Sequence, residues 1–125
     1  MSLSRKLAGF LAVTILAVAA GCSSGTSRES ARDQATTLTC QQYVRCMAIG
    51  TGKAFPTQAD CELHWQATWD SQWPAATCEG KINQEAFETC LAAIRGTSCT
   101  LGDLLITLGK CGSANVCASA SPDGG

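Results

Sequence analysis

The chain has 125 residues, nine basic and ten acidic side chains and a net charge of -1, which is room for one small domain. After residue 21 its basic residues stand singly, from Arg28 and Arg32 to Lys110, so it lacks the cationic stripe that nucleic-acid binding requires. Its one histidine, His64, excludes a multi-histidine metal centre and leaves a single imidazole for acid–base chemistry.

Arg5 and Lys6 precede 14 uncharged residues, Leu7 to Ala20, in the pattern of a secretory signal peptide. The run is shorter than the roughly 18 to 20 residues that a membrane-spanning helix needs. It closes on Ala19-Ala20-Gly21-Cys22, with Ser23 and Ser24 directly after. This stretch resembles the lipobox of bacterial lipoproteins, with Ala19 where Leu is usual. The resemblance implies a lipoprotein signal peptide over 1–21, acylation of the Cys22 thiol, and cleavage just before it. The membrane is then a partner through the lipid on Cys22. Ser rather than Asp beside that cysteine implies, by the same resemblance, the outer membrane of the cell envelope.

Nine cysteines is an odd number for an exported chain, and assigning Cys22 to lipid leaves eight. Cys40, Cys46, Cys61, Cys78, Cys90, Cys99, Cys111 and Cys117 fall within 78 residues of a chain destined for an oxidising compartment, which reads as four disulfides. A segment this short buries little apolar surface, and each bridge closing a loop of about 15 residues adds about 3 kcal/mol by restricting the unfolded chain. Connectivity stays open, although Cys46 with Cys61 and Cys99 with Cys111 are the first pairs to expect, each spanning one turn region. No two of the eight form Cys-x-x-Cys, so metal, redox and haem sites lack their usual carriers and no cofactor is expected.

Residues 22–37 hold nothing large and apolar and read as a flexible tether. From 38 to 49 a helix is expected, with Cys40, Tyr43, Val44 and Met47 on one face, Thr39 and Gln42 as capping box and Gly50 as its stop. Thr51-Gly52-Lys53 is a turn, because Ala54 stands where a phosphate loop needs Ser or Thr. A second helix follows the Thr57 and Asp60 capping box and runs to Trp73, where Pro74 ends it. Asn83 as N-cap, Phe87, Cys90, Leu91 and Ile94 as stripe, and Arg95-Gly96 as stop define a third helix over 84–95. Thr100 and Asp103 cap a fourth over 101–108, with Leu101, Leu104, Leu105 and Leu108 on one face; a short buried strand is the alternative there. A single helical turn is expected from Ser113, and 118–125 reads as a disordered tail. The expected fold is a small all-α, four-helix, disulfide-stabilised domain over 38–117.

Cys61, Trp65, Trp69 and Trp73 follow one another at four-residue spacing and form a ridge along the second helix. Core is the first reading, since each tryptophan can bury about 150 to 250 Å². The second is a platform for an aromatic ligand, a sugar or a partner protein, with Trp73 beside the proline turn the one expected to reach the surface. His64 sits off this ridge and is read as exposed or interfacial. A Cys–His nucleophile would need a free thiol, and the Gly-x-Ser-x-Gly elbow is absent, so the sequence argues against an enzyme.

The whole of Cys40 to Cys117 resembles a family of uncharacterised, cysteine-rich bacterial lipoproteins, some of them labelled as lipoproteins of natural-product biosynthesis. The resemblance is carried by Cys40-Gln41-Gln42-Tyr43-Val44-Arg45-Cys46, by Trp69-Asp70-Ser71-Gln72-Trp73, by Cys90-Leu91-Ala92-Ala93-Ile94, and by Leu108-Gly109-Lys110-Cys111 with Val116-Cys117. It implies an anchored, disulfide-rich module and supplies no catalytic residues. Three functional readings compete: a non-catalytic binding or accessory module of the envelope, a carrier of a small hydrophobic ligand through the Trp ridge, and a small hydrolase-type enzyme using His64.

The intact mass of protein extracted from membranes tests the N-terminal reading. The chain is expected to begin at an acylated Cys22 and to take up no thiol reagent until it is reduced. Another N-terminus, or a thiol that reacts before reduction, contradicts it.

Overall fold

A computed structural model describes residues 25–117 of the chain. The expected signal segment, the lipid site Cys22 and the tail over 118–125 lie outside the described residues. The described part is all-α, with helices α1 (Arg28–Arg45), α2 (Gln58–Gln72), α3 (Ala75–Cys78), α4 (Gln84–Gly96), α5 (Leu101–Lys110) and α6 (Ser113–Val116). Among the described residues the single β-type pairing is an isolated bridge between Ile49 and Phe55, which closes the loop after α1.

Three helix starts follow the expected caps, whereas the expected Thr39 and Gln42 box lies inside α1, where Thr39 Oγ1 donates to the Ala35 carbonyl at 2.7 Å. Thr57 accepts from the Asp60 amide at 3.1 Å, Asn83 from Ala86 at 3.0 Å and Thr100 from Asp103 at 3.4 Å. Each satisfies one of the amides that a helix N-terminus leaves without an intrahelical acceptor. In α4 the whole expected stripe is buried, with Phe87, Cys90, Leu91 and Ile94 at most 3% exposed.

The stretch expected to be a tether is corrected in large part, because residues 28–37 are the first half of α1. Ser27 caps it, and Ala31, Ala35 and Thr39 recur at four-residue spacing on a buried face. Small side chains let the α1 backbone approach its neighbours closely; they bury little area themselves, which is why composition reads as tether. Two arginines complete the docking. Arg28 bonds Asp70 of α2 at 3.1 Å and donates to the Trp73 carbonyl, and Arg32 reaches Asp70 at 3.4 Å. Asp33, at 2.8 Å, and then Asp70 hold the Arg32 guanidinium firmly in its charged form.

The other end of α1 differs as well. The helix stops at Arg45 rather than near Gly50. Met47 enters the left-handed region at φ 53°, its amide bonds the Val44 carbonyl and the Ala48 amide bonds the Tyr43 carbonyl, both at 2.9 Å. This is a Schellman cap, with methionine where glycine is usual. Turning the chain there leaves Met47 78% exposed and Val44 54% exposed, so they do not continue the expected apolar face.

Helix α1 packs on α2 and α4, and α4 carries α5 and α6. The disulfides tie these same junctions: Cys40–Cys61 joins α1 to α2, Cys46–Cys99 the end of α1 to the segment before α5, Cys78–Cys117 α3 to the end of α6, and Cys90–Cys111 α4 to the end of α5. The expected pairs Cys46–Cys61 and Cys99–Cys111 do not form. Once α1 lies along α2, it is Cys40 that faces Cys61, while Cys46, further round the helix, is carried to the far end of α4. The bridges close separations of 21 to 53 residues, worth about 3 to 4 kcal/mol each in chain-entropy terms.

Ala35 distinguishes a docked helix from a tether. It is fully buried, so Ala35→Leu is expected to cost about 1 to 3 kcal/mol in denaturant unfolding of the oxidised protein. An unchanged midpoint would mean that this stretch does not pack.

Candidate functional site

The tryptophan ridge is core at every position. Trp65, Trp69 and Trp73 are 4%, 1% and 0% exposed. Trp69 and Trp73 stack with centroids 4.8 Å apart, Trp65 lies 5.6 Å from Trp69, and the row continues to Phe87 at one end and through Tyr43 to Phe55 at the other. Trp73, expected at the surface, is instead fully enclosed. Pro74 turns the chain into α3, whose bridge to Cys117 brings the C-terminal segment over the indole, and Trp73 Nε1 donates to the Cys111 carbonyl at 2.8 Å.

Beside the other end of this row lies a cavity of about 250 Å³. Gln42 and Tyr43 of α1, Trp65 and Trp69 of α2, Ile94 at the end of α4 and Leu104 of α5 form its walls. No acidic, basic or histidine side chain lines it. It reaches the surface along Ser98 to Leu101, all of them exposed. Cys46 and Cys99 are both part of the lining, so their bridge runs at the rim of the cavity.

Three of the lining side chains carry buried polar atoms with no hydrogen-bond partner among the described residues: Gln42 Oε1, Trp65 Nε1 and Trp69 Nε1. A buried donor or acceptor left unmade costs about 1 to 3 kcal/mol, and most buried polar groups in folded proteins are paired. Burial raises the Tyr43 phenol above its ordinary range, an effect the neighbouring Trp65 indole partly offsets. The two groups do not meet in hydrogen-bonding geometry, and Trp65 Nε1 remains unpaired.

The segment beyond the cavity is held by polar contacts. Arg45 Nη2 donates to the carbonyls of Arg95 and Thr97 at 3.3 and 3.0 Å, placing a cation at the C-terminal end of α4. Thr97 Oγ1 donates to the Ala93 carbonyl at 2.8 Å and lies 2.6 Å from Thr107 Oγ1. Thr107 is the buried residue of α5, with Leu104 and Leu108 half-buried. Leu101, Leu105 and Ile106 are between 62% and 72% exposed, so α5 does not bury all of its expected apolar face.

His64 is exposed on α2, with its ring 5.2 Å from Phe55 and 5.6 Å from Trp65. It is not part of the cavity lining. Among the described residues its ring makes no hydrogen bond or ion pair to a carboxylate, and no group of three or more His, Cys, Asp or Glu side chains is placed to hold a metal ion. The ridge spacing pointed to Trp65 and Trp69; nothing in the sequence pointed to Gln42 or Leu104 as cavity residues, since helix one and helix four had no visible reason to leave space between them.

A family described as a family of unknown function, DUF6184, matches residues 40–119. The chain belongs to this family. No curated protein and no solved structure matches the chain.

Proposed function

We propose that the protein is a non-catalytic binding module of the cell envelope, held to the membrane through lipid on Cys22, whose folded part takes up a small, largely apolar molecule. The observation that carries this reading is the cavity beside Trp65 and Trp69, largely apolar in its walls and free of charged side chains. Ligand sites typically combine apolar walls with a few placed polar groups. The disulfides support the same reading, because a cross-linked frame holds such a space open without a ligand to brace it.

The outer membrane and a setting in natural-product biosynthesis belong to this proposal through the lipobox and the family resemblance. Carriage of a hydrophobic product or precursor outside the cytoplasm is a task that an anchored, non-catalytic module can perform. A second reading, contact with a partner protein, rests on Leu101, Leu105 and Ile106, which α5 exposes at and near the rim of the cavity. The hydrolase reading loses ground, since His64 stands outside the cavity without a carboxylate to orient it.

Tryptophan fluorescence reads the cavity directly, because two of the three indoles border it. Adding organic extracts of producing cells to the protein is expected to shift or quench the emission saturably. No change across extracts of differing polarity would overturn the ligand reading.

A further inference from the structure

The four bridges differ in what surrounds them. Cys40, Cys61, Cys78, Cys90, Cys111 and Cys117 are at most 5% exposed, so three bridges lie within the core. The fourth joins half-buried Cys46 to exposed Cys99 and borders the cavity. A thiolate must reach a sulfur to cleave a disulfide, and exposed bridges are the labile ones.

What this bridge holds is one wall of the cavity. Residues 98–106 supply Ser98, Cys99, Thr100, Leu101 and Leu104 to the lining, yet none of the nine is buried. Ser98 and Thr100 bond each other at 3.0 Å through their hydroxyls, within the stretch itself, and α5 packs chiefly on α4. The firm attachments stand at the two ends. Arg45 donates to the Thr97 carbonyl at 3.0 Å, buried Thr107 meets Thr97 through its hydroxyl, and Cys111 is tied to Cys90. Between those ends, Cys99 makes the one covalent tie to α1. Local opening starts in segments with few buried contacts, and this is such a segment.

We infer that Cys46–Cys99 is a latch that a dithiol opens, releasing residues 98–106 as a flap over the cavity. One thiolate of the dithiol attacks Cys99 Sγ and forms a mixed disulfide; the Cys46–Cys99 bond breaks, and Cys46 leaves as a thiolate that takes up a proton. The second thiol of the dithiol, deprotonated, closes on the first sulfur, and Cys99 leaves as a thiolate that is protonated in turn. The bridge gains two electrons and two protons, and the dithiol is oxidised to its own disulfide. Oxidised, the flap walls the cavity; reduced, it swings about Thr97 and Thr107 and opens the cavity to solvent. Cleavage and flap movement need no ligand, whereas control of uptake rests on the ligand reading above.

Limiting dithiothreitol, added without denaturant to the oxidised full chain carrying Cys22→Ser and followed by iodoacetamide, tests the latch. Peptide mapping is expected to find Cys46 and Cys99 alkylated at least about tenfold faster than the other six cysteines. In the protein reduced at this bridge, and in the Cys46→Ser, Cys99→Ser double variant, hydrogen exchange at the amides of Leu104 to Ile106 is expected to quicken at least about tenfold, while the α2 amides keep their protection. N-phenyl-1-naphthylamine, an uncharged apolar fluorescent probe, is expected to leave both opened forms at least about threefold faster than the oxidised protein. Attack on another bridge first, or loss of all four in one step, would overturn the latch, as would exchange that opening leaves unaltered. Faster exchange with unchanged release of the probe would overturn control of the cavity. A probe bound by neither form would overturn the ligand reading and with it control of uptake, whereas the latch itself is decided by alkylation and exchange.

Discussion

The structure depends on burying one row of indoles. Trp65, Trp69 and Trp73 stand at four-residue spacing on α2, so they project from one face and must be covered together. Their stacking, at centroid separations of 5.6 and 4.8 Å, presents neighbouring elements with a long, stiff wall rather than separate knobs. Helix α1 meets that wall with Ala31, Ala35 and Thr39, residues small enough to bring the two helices close, and α4 adds Phe87 edge-on to Trp73. Asp70, from the same helix as the indoles, anchors α1 through Arg28 and Arg32.

Cross-linking then does what a larger core would do in a longer chain. Every helix carries, or runs directly into, a cysteine of one of the four bridges, and six of the eight cysteines are buried. The remaining bridge, Cys46–Cys99, borders the cavity and ties the same junction that Arg45 holds through the Arg95 and Thr97 carbonyls. The indole row is thus sealed at the Trp73 end, where Nε1 meets the Cys111 carbonyl, and borders the cavity at the Trp65 end, where Tyr43, Leu104 and the bridge form the other walls. Differences in closure along one row of identical side chains turn part of the core into a candidate binding space.

Much of this fold was legible from local signals. Thr57, Asn83 and Thr100 announced helix starts by hydrogen bonds made within a few residues, and the stripe of α4 follows the helical period without interruption. The first half of α1 was not legible, because its docking rests on small residues and on arginines whose partner lies about 40 positions away. The disulfide pairing was hidden for the same reason: proximity in space depends on the packing of α1 along α2, and turn length does not report it. Trp73 looked exposed beside Pro74, yet Phe87 of α4 and the Cys111 carbonyl at the end of α5, both distant in sequence, enclose it. Of the cavity, Trp65 and Trp69 were visible as a ridge, whereas Gln42 and Leu104 come from helices whose separation is a tertiary outcome.

The central claim is that one indole is sealed in the core and two border a ligand space. The three indole N–H signals of a nitrogen-15-labelled sample report on each separately. On addition of an organic extract that changes the tryptophan emission, the signals of Trp65 and Trp69 are expected to move together, while that of Trp73, already bonded to the Cys111 carbonyl, stays in place and exchanges slowly with solvent. Movement of the Trp73 signal with Trp65 and Trp69 unmoved, or three signals that all remain still, would contradict the account.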